Sequence, residues 1–286
     1  MNKKAVLYVG GGAMAGVFGA GVVTNLQEAN VYGKISHVYG ASAGAFNIAY
    51  FLDKQTKKGS TIYWEDLIKG FIYSSKFPKA IMNMALGRKD FQNIVDIDYL
   101  IQVAKTTKRL DLEKIKKNPI EAKVKVYNLK TKKIKYLDLK KDTFQRLKES
   151  SSVAPYFYSK GQENIDGDIL DSLGYDFIRS QHPEEKLIFV LNHRINRGKF
   201  TQLRKILEGK LVAKIFKDSG LKQMFKEELT KRKKDIEKIN LDENALLITP
   251  PWNNPSNNST TNPKKLKQTH YLGMVEAEKI LDFIGR

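Results

Sequence analysis

The 286-residue chain has no cysteine. That excludes disulfides, thiolate nucleophiles and cysteine-held zinc, and it says little about compartment. Histidine is scarce: His37, His182, His193 and His270 lie far apart, without the H-x-x-x-H spacing of a metal site. No metal and no organic cofactor is expected. Long apolar runs are missing beyond the N-terminus. There Ala5–Gln27 carries no charge and follows Lys3 and Lys4, as a signal peptide or a membrane span does. Six glycines, at 10, 11, 12, 16, 19 and 21, interrupt that stretch, so it reads as a buried strand, a loop and a buried helix. Neither a signal peptide nor a transmembrane helix is expected, and the protein is placed in the cytoplasm or at the periphery of a membrane. Acidic residues are also in deficit: 31 Asp+Glu against 50 Lys+Arg leave a net charge of +19. Such a balance favours an anionic partner, a phospholipid surface or a nucleic acid. The lysines concentrate in 105–148 and 199–238, and each cluster reads as a binding face or as a solvated surface.

What is present suits one large α/β unit. Hydrophobic residues make up 41% of the chain, enough for a substantial core. The β-rich run A-V-L-Y-V (5–9), ended by glycine, predicts a buried strand, and a helix is expected over about 15–29, with Asn30 and Gly33 as stop signals. I-S-H-V-Y (35–39) predicts a second strand and 43–52 a buried helix. Residues 61–118 read as mainly helical, broken at Pro78. Alternation over 124–139 around T-K-K predicts an edge hairpin, and 142–151 a helix capped by Asp142 or Thr143. Strands are expected at 186–191 and 245–250. Amphipathic lysine-rich helices are expected over 200–239, a loop over 250–264 and a closing helix over 272–284. The pattern begins β-loop-α-β-turn-α, the start of a parallel sheet flanked by helices. No repeat and no linker divides it, so 1–286 is read as a single domain.

Two glycine-rich turns carry the chemistry. G10-G-G-A-M-A15 fits a dinucleotide fingerprint, but the second strand ends Val38-Tyr39-Gly40 without the carboxylate that a ribose needs. A phosphate loop would close on Gly-Lys-Ser/Thr, which is absent. What remains is a row of backbone N–H groups at a helix start, a site for a phosphate or for an oxyanion formed in acyl transfer. The second turn, G40-A-S-A-G44, falls between an expected strand and an expected helix, the context of a nucleophile held on a sharp bend. Ser42 then needs a base. His270, the only late histidine, would serve in a Ser-His-Asp hydrolase, although only two strands precede Ser42 where such enzymes place several. Asp166, in N-I-D-G-D, is the other candidate; Asp166-Gly167 fits a plain β-turn as well as a carboxylate aimed at Ser42.

Taken together, these motifs resemble the patatin-like phospholipases, especially the bacterial single-domain members. The glycine loop G10-G-G-A-M-A-G16, the G40-A-S-A-G44 turn and D166-G167 stand in the family's order. S-S-S-V-A-P-Y-F before the aspartate resembles the family's Ser-Ala-x-Pro-x-x-Phe, and L272-G-M-V-E-A-E-K-I-L its last helix. The resemblance implies an α/β fold with a mostly parallel central sheet flanked by helices. It also implies a Ser42–Asp166 dyad that cleaves acyl esters of lipids or phospholipids, and an oxyanion hole from the amides of Gly11, Gly12 and Ala13. No cofactor is implied, and the partner is lipid rather than nucleic acid. The basic helices of 199–238 then read as a cover facing an anionic membrane or as ordinary packing helices. A catalytically weak protein that binds anionic lipid or nucleic acid through its lysines is the non-enzymatic alternative. Three departures stand out. Ala15 replaces a family Arg or Lys, Ala13 replaces the third loop glycine or else one residue is inserted, and Asp168 replaces a Gly or Ala. Asp168 is expected either to face solvent or to crowd Asp166 and raise its pKa; on the family pattern, Asp168→Gly should preserve or raise activity.

Overall fold

Ala5–Val9 (β1) is buried at every position, as a strand covered on both faces must be. The computed structural model describes residues 4–73, 94–159, 161–170, 173–194 and 199–285, with the single residues 76, 79 and 82. The other strands are Ile35–Gly40 (β2), Glu121–Asn128 (β3), Lys133–Asp138 (β4), Asn164–Asp166 (β5), Lys186–Val190 (β6) and Ala245–Ile248 (β7). They form a seven-stranded sheet in the order β4-β3-β2-β1-β6-β7, with β5 also paired to β3. The β1–β2, β1–β6, β2–β3 and β6–β7 pairs are parallel; β4 and β5 run antiparallel to β3. The expected mostly parallel α/β sheet and its edge hairpin are both present.

The two-residue period of β1 divides the core. Ala5, Leu7 and Val9 pack on one face with Val17–Glu28 (α1) and Ala43–Leu52 (α2). Val6 and Tyr8 pack on the other, with Ile178 of Tyr175–Gln181 (α8) and Ile236 of Ser219–Leu241 (α10). On the first face α1 lies close against Pro263–Glu276 (α11): a Cβ on Gly273 would sit 2.1 Å from the Phe18 carbonyl oxygen, so glycine is required there.

Several boundaries differ from expectation. The first helix opens as a 3-10 turn at Ala13–Gly16, and Asn30 stops it in the left-handed region. The 61–118 segment resolves into Thr56–Glu65 (α3), Leu67–Gly70 (α4), Ile97–Lys105 (α5) and Leu112–Lys117 (α6); the break expected at Pro78 lies outside the described residues. Asp142 takes the cap position of Thr143–Ser150 (α7), but its side chain makes no capping bond. The strand expected over 245–250 ends at Ile248. The C-terminal helix starts at Pro263, where a loop was expected. The Asn262 side chain accepts the Lys265 N–H and Pro263 occupies the first turn, a cap signal within the Asn/Pro-rich stretch. After a break at Ala277 comes Glu278–Ile284 (α12). The basic segment forms Lys199–Phe216 (α9) and α10. Among the described residues no helix is long and apolar enough to cross a membrane.

Candidate active site

Ser42 sits at the junction of β2 and α2 with φ 51° and ψ −123°, a conformation that L-residues rarely adopt. Its flanking glycines make the bend possible. A Cβ on Gly44 would lie 2.0 Å from the Val9 carbonyl oxygen, and one on Gly40 2.8 Å from the Ala45 Cα. The start of α2 is thereby drawn against the end of β1, next to the glycine loop. A Cβ added to Gly11 would lie 3.0 Å from the Ser42 Cβ. The two glycine-rich helix starts thus stand side by side at the carboxyl edge of the sheet, where open α/β sheets bind ligands.

Strand pairing explains how Asp166 reaches this point from 124 positions away. β2 pairs with the first half of β3, Gly40 opposite Val124. The short β5 pairs with the second half, Asp166 opposite Val126. The run 121–124 serves the parallel neighbour β2 and 126–128 the antiparallel β5, while β4 pairs with β3 over 123–128. β2 and β5 therefore approach one another end on along β3, about two residues (~7 Å) apart. Their ends carry Ser42 and Asp166, which line one cavity, and the Ser42 side chain acts on the Asp166 carboxyl to lower its pKa, the least of the influences on it. The S-S-S run braces both: the Ser42 N–H donates to the Ser150 carbonyl and hydroxyl oxygens, each at 3.1 Å, and the Asp166 N–H to the Ser152 carbonyl at 3.1 Å. Asp166 is 2% exposed. Burial, then the charge of Asp168, push its carboxyl up to about 7.

Asp168 does not face solvent. Its side chain is about 10% exposed and receives three donors: the Lys125 ammonium at 2.7 Å, the Tyr8 hydroxyl at 2.5 Å and the Gly11 N–H at 2.8 Å. Burial works to raise its pKa, but the charges of Lys125 and Arg232, with the bonds from Lys125 and Tyr8, hold the carboxyl well below the usual range. The crowding of Asp166 was the correct alternative. Gly11, expected as an oxyanion donor, instead gives its N–H to Asp168. Among the described residues the Gly12 and Ala13 amides have no acceptor, and both residues line the cavity over Ser42. Ala13 has φ 46°, in the left-handed region that favours glycine.

Several supports were not anticipated. Asn192, just after β6, staples the loop: its amide donates to the Gly10 carbonyl at 2.6 Å, and its oxygen accepts the Gly19 N–H at 2.8 Å. Lys125, fully buried on β3, and Tyr8 on β1 read in sequence as strand residues only. His193 lines the cavity beside the loop, its Nε2 3.2 Å from where a Gly12 Cβ would stand. His270 does not line that cavity. It packs edge-on against Trp64, 3.4 Å from the Thr24 hydroxyl, and burial pushes its pKa down to about 4. The expected alternative base is therefore not brought to Ser42, because α11 carries it to the outer side of α1.

The cavity over Ser42 measures about 460 Å³. Its floor is polar, with Ser42, Asp166 and the glycine loop, and one wall is apolar, with Phe46, Ile62, Tyr63, Leu67, Phe71 and Leu100. The model of the family described as patatin-like phospholipase matches residues 7–272 of the chain. Curated proteins give no significant match. Among solved structures the chain is similar to VipD from Legionella pneumophila, with 16% sequence identity and a TM-score of 0.51, over 99% of this chain and 67% of that one. At that identity the likeness concerns the fold.

Proposed function

This chain belongs to the patatin-like phospholipase family, and with that family as premise we propose that it is a lipid acyl hydrolase, one domain over 1–286, working through a Ser42–Asp166 dyad. The Ser42 oxygen attacks the ester carbonyl carbon while Asp166 takes the hydroxyl proton. The carbonyl oxygen becomes an oxyanion facing the Gly12 and Ala13 amides. Collapse expels the alcohol, which leaves with the proton from Asp166. Water then attacks the acyl-enzyme and gives a proton to Asp166, which passes it to the departing Ser42 oxygen as the fatty acid is released. The observation that carries this reading is the convergence of Ser42 and Asp166 on one cavity where β2 and β5 meet end on. A carboxyl near 7 suits a general base at neutral pH. The apolar wall suits an acyl chain.

A membrane is the proposed setting. On α9, Lys205 and Glu208 turn inward and line the cavity, while Leu203, Leu207, Lys210 and Lys214 fall on the opposite face at helical spacing. Leu203 and Leu207 are 57% and 55% exposed, and the two lysines are exposed as well. Apolar side chains beside lysines on one helix face fit an anionic bilayer surface. Hydrolysis of a short-chain nitrophenyl ester and labelling by a fluorophosphonate test the chemistry. Ser42→Ala is expected to lose both while staying folded, with a rate loss of about 10³-fold or more. His270→Ala is expected to keep most of the activity. Wild-type-like hydrolysis by Ser42→Ala would overturn the dyad, and loss in a folded His270→Ala would restore the histidine as base.

A further inference from the structure

Asp168 is a carboxylate at the site that the dyad does not use, and it is held from several sides. Tyr8 reaches it from β1, Lys125 from β3 and the Gly11 N–H from the glycine loop, and Arg232, itself paired with Glu228 on α10, adds its charge. Its own N–H closes back on the Asp166 carboxylate at 2.8 Å. One residue therefore touches the general base through its backbone and the oxyanion loop through its side chain. The loop needs such a hold. Gly10 and Gly11 follow β1 with no helical bonding of their own, and Ala13 sits in a conformation that an alanine does not favour. An oxyanion donor displaced by an ångström loses much of its effect.

We propose that Asp168 is a positioning residue of the hydrolysis, holding the glycine loop in register with Ser42 by taking the Gly11 N–H, so that Gly12 and Ala13 face the oxyanion. This rests on the dyad reading above. A second consequence follows from the fixed negative charge of Asp168 beside Asp166. With Lys125 pulling the other way, that charge helps to set the pH at which the base ionises. The other ionisable groups around the site are Arg232 and Glu228 on α10, Lys205 and Glu208 on α9, Tyr8 on β1 and His193 after β6.

The test compares the wild type with Asp168→Asn, Asp168→Ala and the double variant Lys125→Met/Asp168→Ala. The double variant removes the ion pair together, so no buried ammonium is left alone if the single alanine fails to fold. Folded alanine variants are expected to lose about 10–100-fold in kcat with KM nearly unchanged, because the loop shifts while the acyl wall is untouched. Asp168→Asn keeps an oxygen for the Gly11 N–H and is expected to recover most of that loss. Wild-type kcat/KM should fall about tenfold per pH unit below about 7. In Asp168→Asn this acid limb should move down by about one pH unit or more. Exchange of the Gly11 amide hydrogen, followed by NMR, needs no turnover: it should be at least about tenfold faster in the alanine variants than in the wild type. Wild-type kcat in the double variant, an asparagine variant no better than alanine, an unmoved acid limb, or unchanged Gly11 exchange would each overturn the proposal. If wild type and Ser42→Ala hydrolyse alike, the dyad reading fails instead, and the exchange measurement still decides whether Asp168 tethers the loop.

Discussion

Asp166→Asn separates what the site needs from what the fold prefers. The carboxyl is 2% exposed, and burial with the neighbouring charge raises its pKa from 3.8 to about 7. About three pH units at 1.4 kcal/mol each put the cost of keeping it ionised in the fold at about 4 kcal/mol. The folded pKa lies above the unfolded one, so the folded state holds the proton that the unfolded chain has already released. Below about pH 4 both states are neutral and the cost is absent; between about 4 and 7 stability falls as pH rises; above about 7 the full cost applies. Asparagine is neutral throughout and keeps an oxygen for the Asp168 N–H, now 2.8 Å from the carboxylate. Its amide N–H groups face Ser42, and one left without an acceptor returns about 1–3 kcal/mol. The net expectation is a gain of about 2 kcal/mol at pH 8 and a loss of about 2 kcal/mol at pH 4. For a chain of this length the pH 8 gain equals about 3 °C in Tm, from about 2 cal/mol/K of unfolding entropy per residue. Urea titration and calorimetry at the two pH values measure it. Ester hydrolysis should fall about 10²–10⁴-fold in the same variant, because the general base is gone. A variant that is no more stable than the wild type at pH 8, or that keeps its activity, would refute the account of Asp166 as a buried, costly base.

Two further outcomes follow from named residues. Ala13→Gly should raise stability by about 0.5–1 kcal/mol by urea titration, since φ 46° is strained for alanine; a loss would show that the packing of the methyl against the core matters more. Vesicle co-sedimentation should be strong with phosphatidylglycerol, weak with phosphatidylcholine and lost at 1 M salt, where screening falls to ~3 Å. Reversing the exposed Lys210, Lys214, Lys217, Lys222 and Lys226 should abolish it while sparing soluble-ester hydrolysis; equal binding to both lipids would return these lysines to a solvated surface.

Local patterns were legible in the chain itself. Strand β1, strand β2 and helix α2 were expected within a residue of where they stand, because buried elements are written in mostly apolar, β-rich or helix-length segments between glycine-containing turns. G40-A-S-A-G44 announced a bend for the same reason: Gly40 and Gly44 are small because backbone lies where a Cβ would be. The cap at Asn262 was legible too but lay hidden among other loop-forming residues. Tertiary structure decided the rest. A three-residue strand such as β5 is too short to show a period, and only its pairing with β3 brings Asp166 to Ser42. The sequence also left Asp168 between two roles. Its partners, Tyr8, Gly11 and Lys125, lie 160, 157 and 43 positions away, and only their meeting at one sheet edge makes it a buried anion. His270 was set aside by the same logic, since a helix's place in the fold, not its residues' chemistry, determines which side chains can meet.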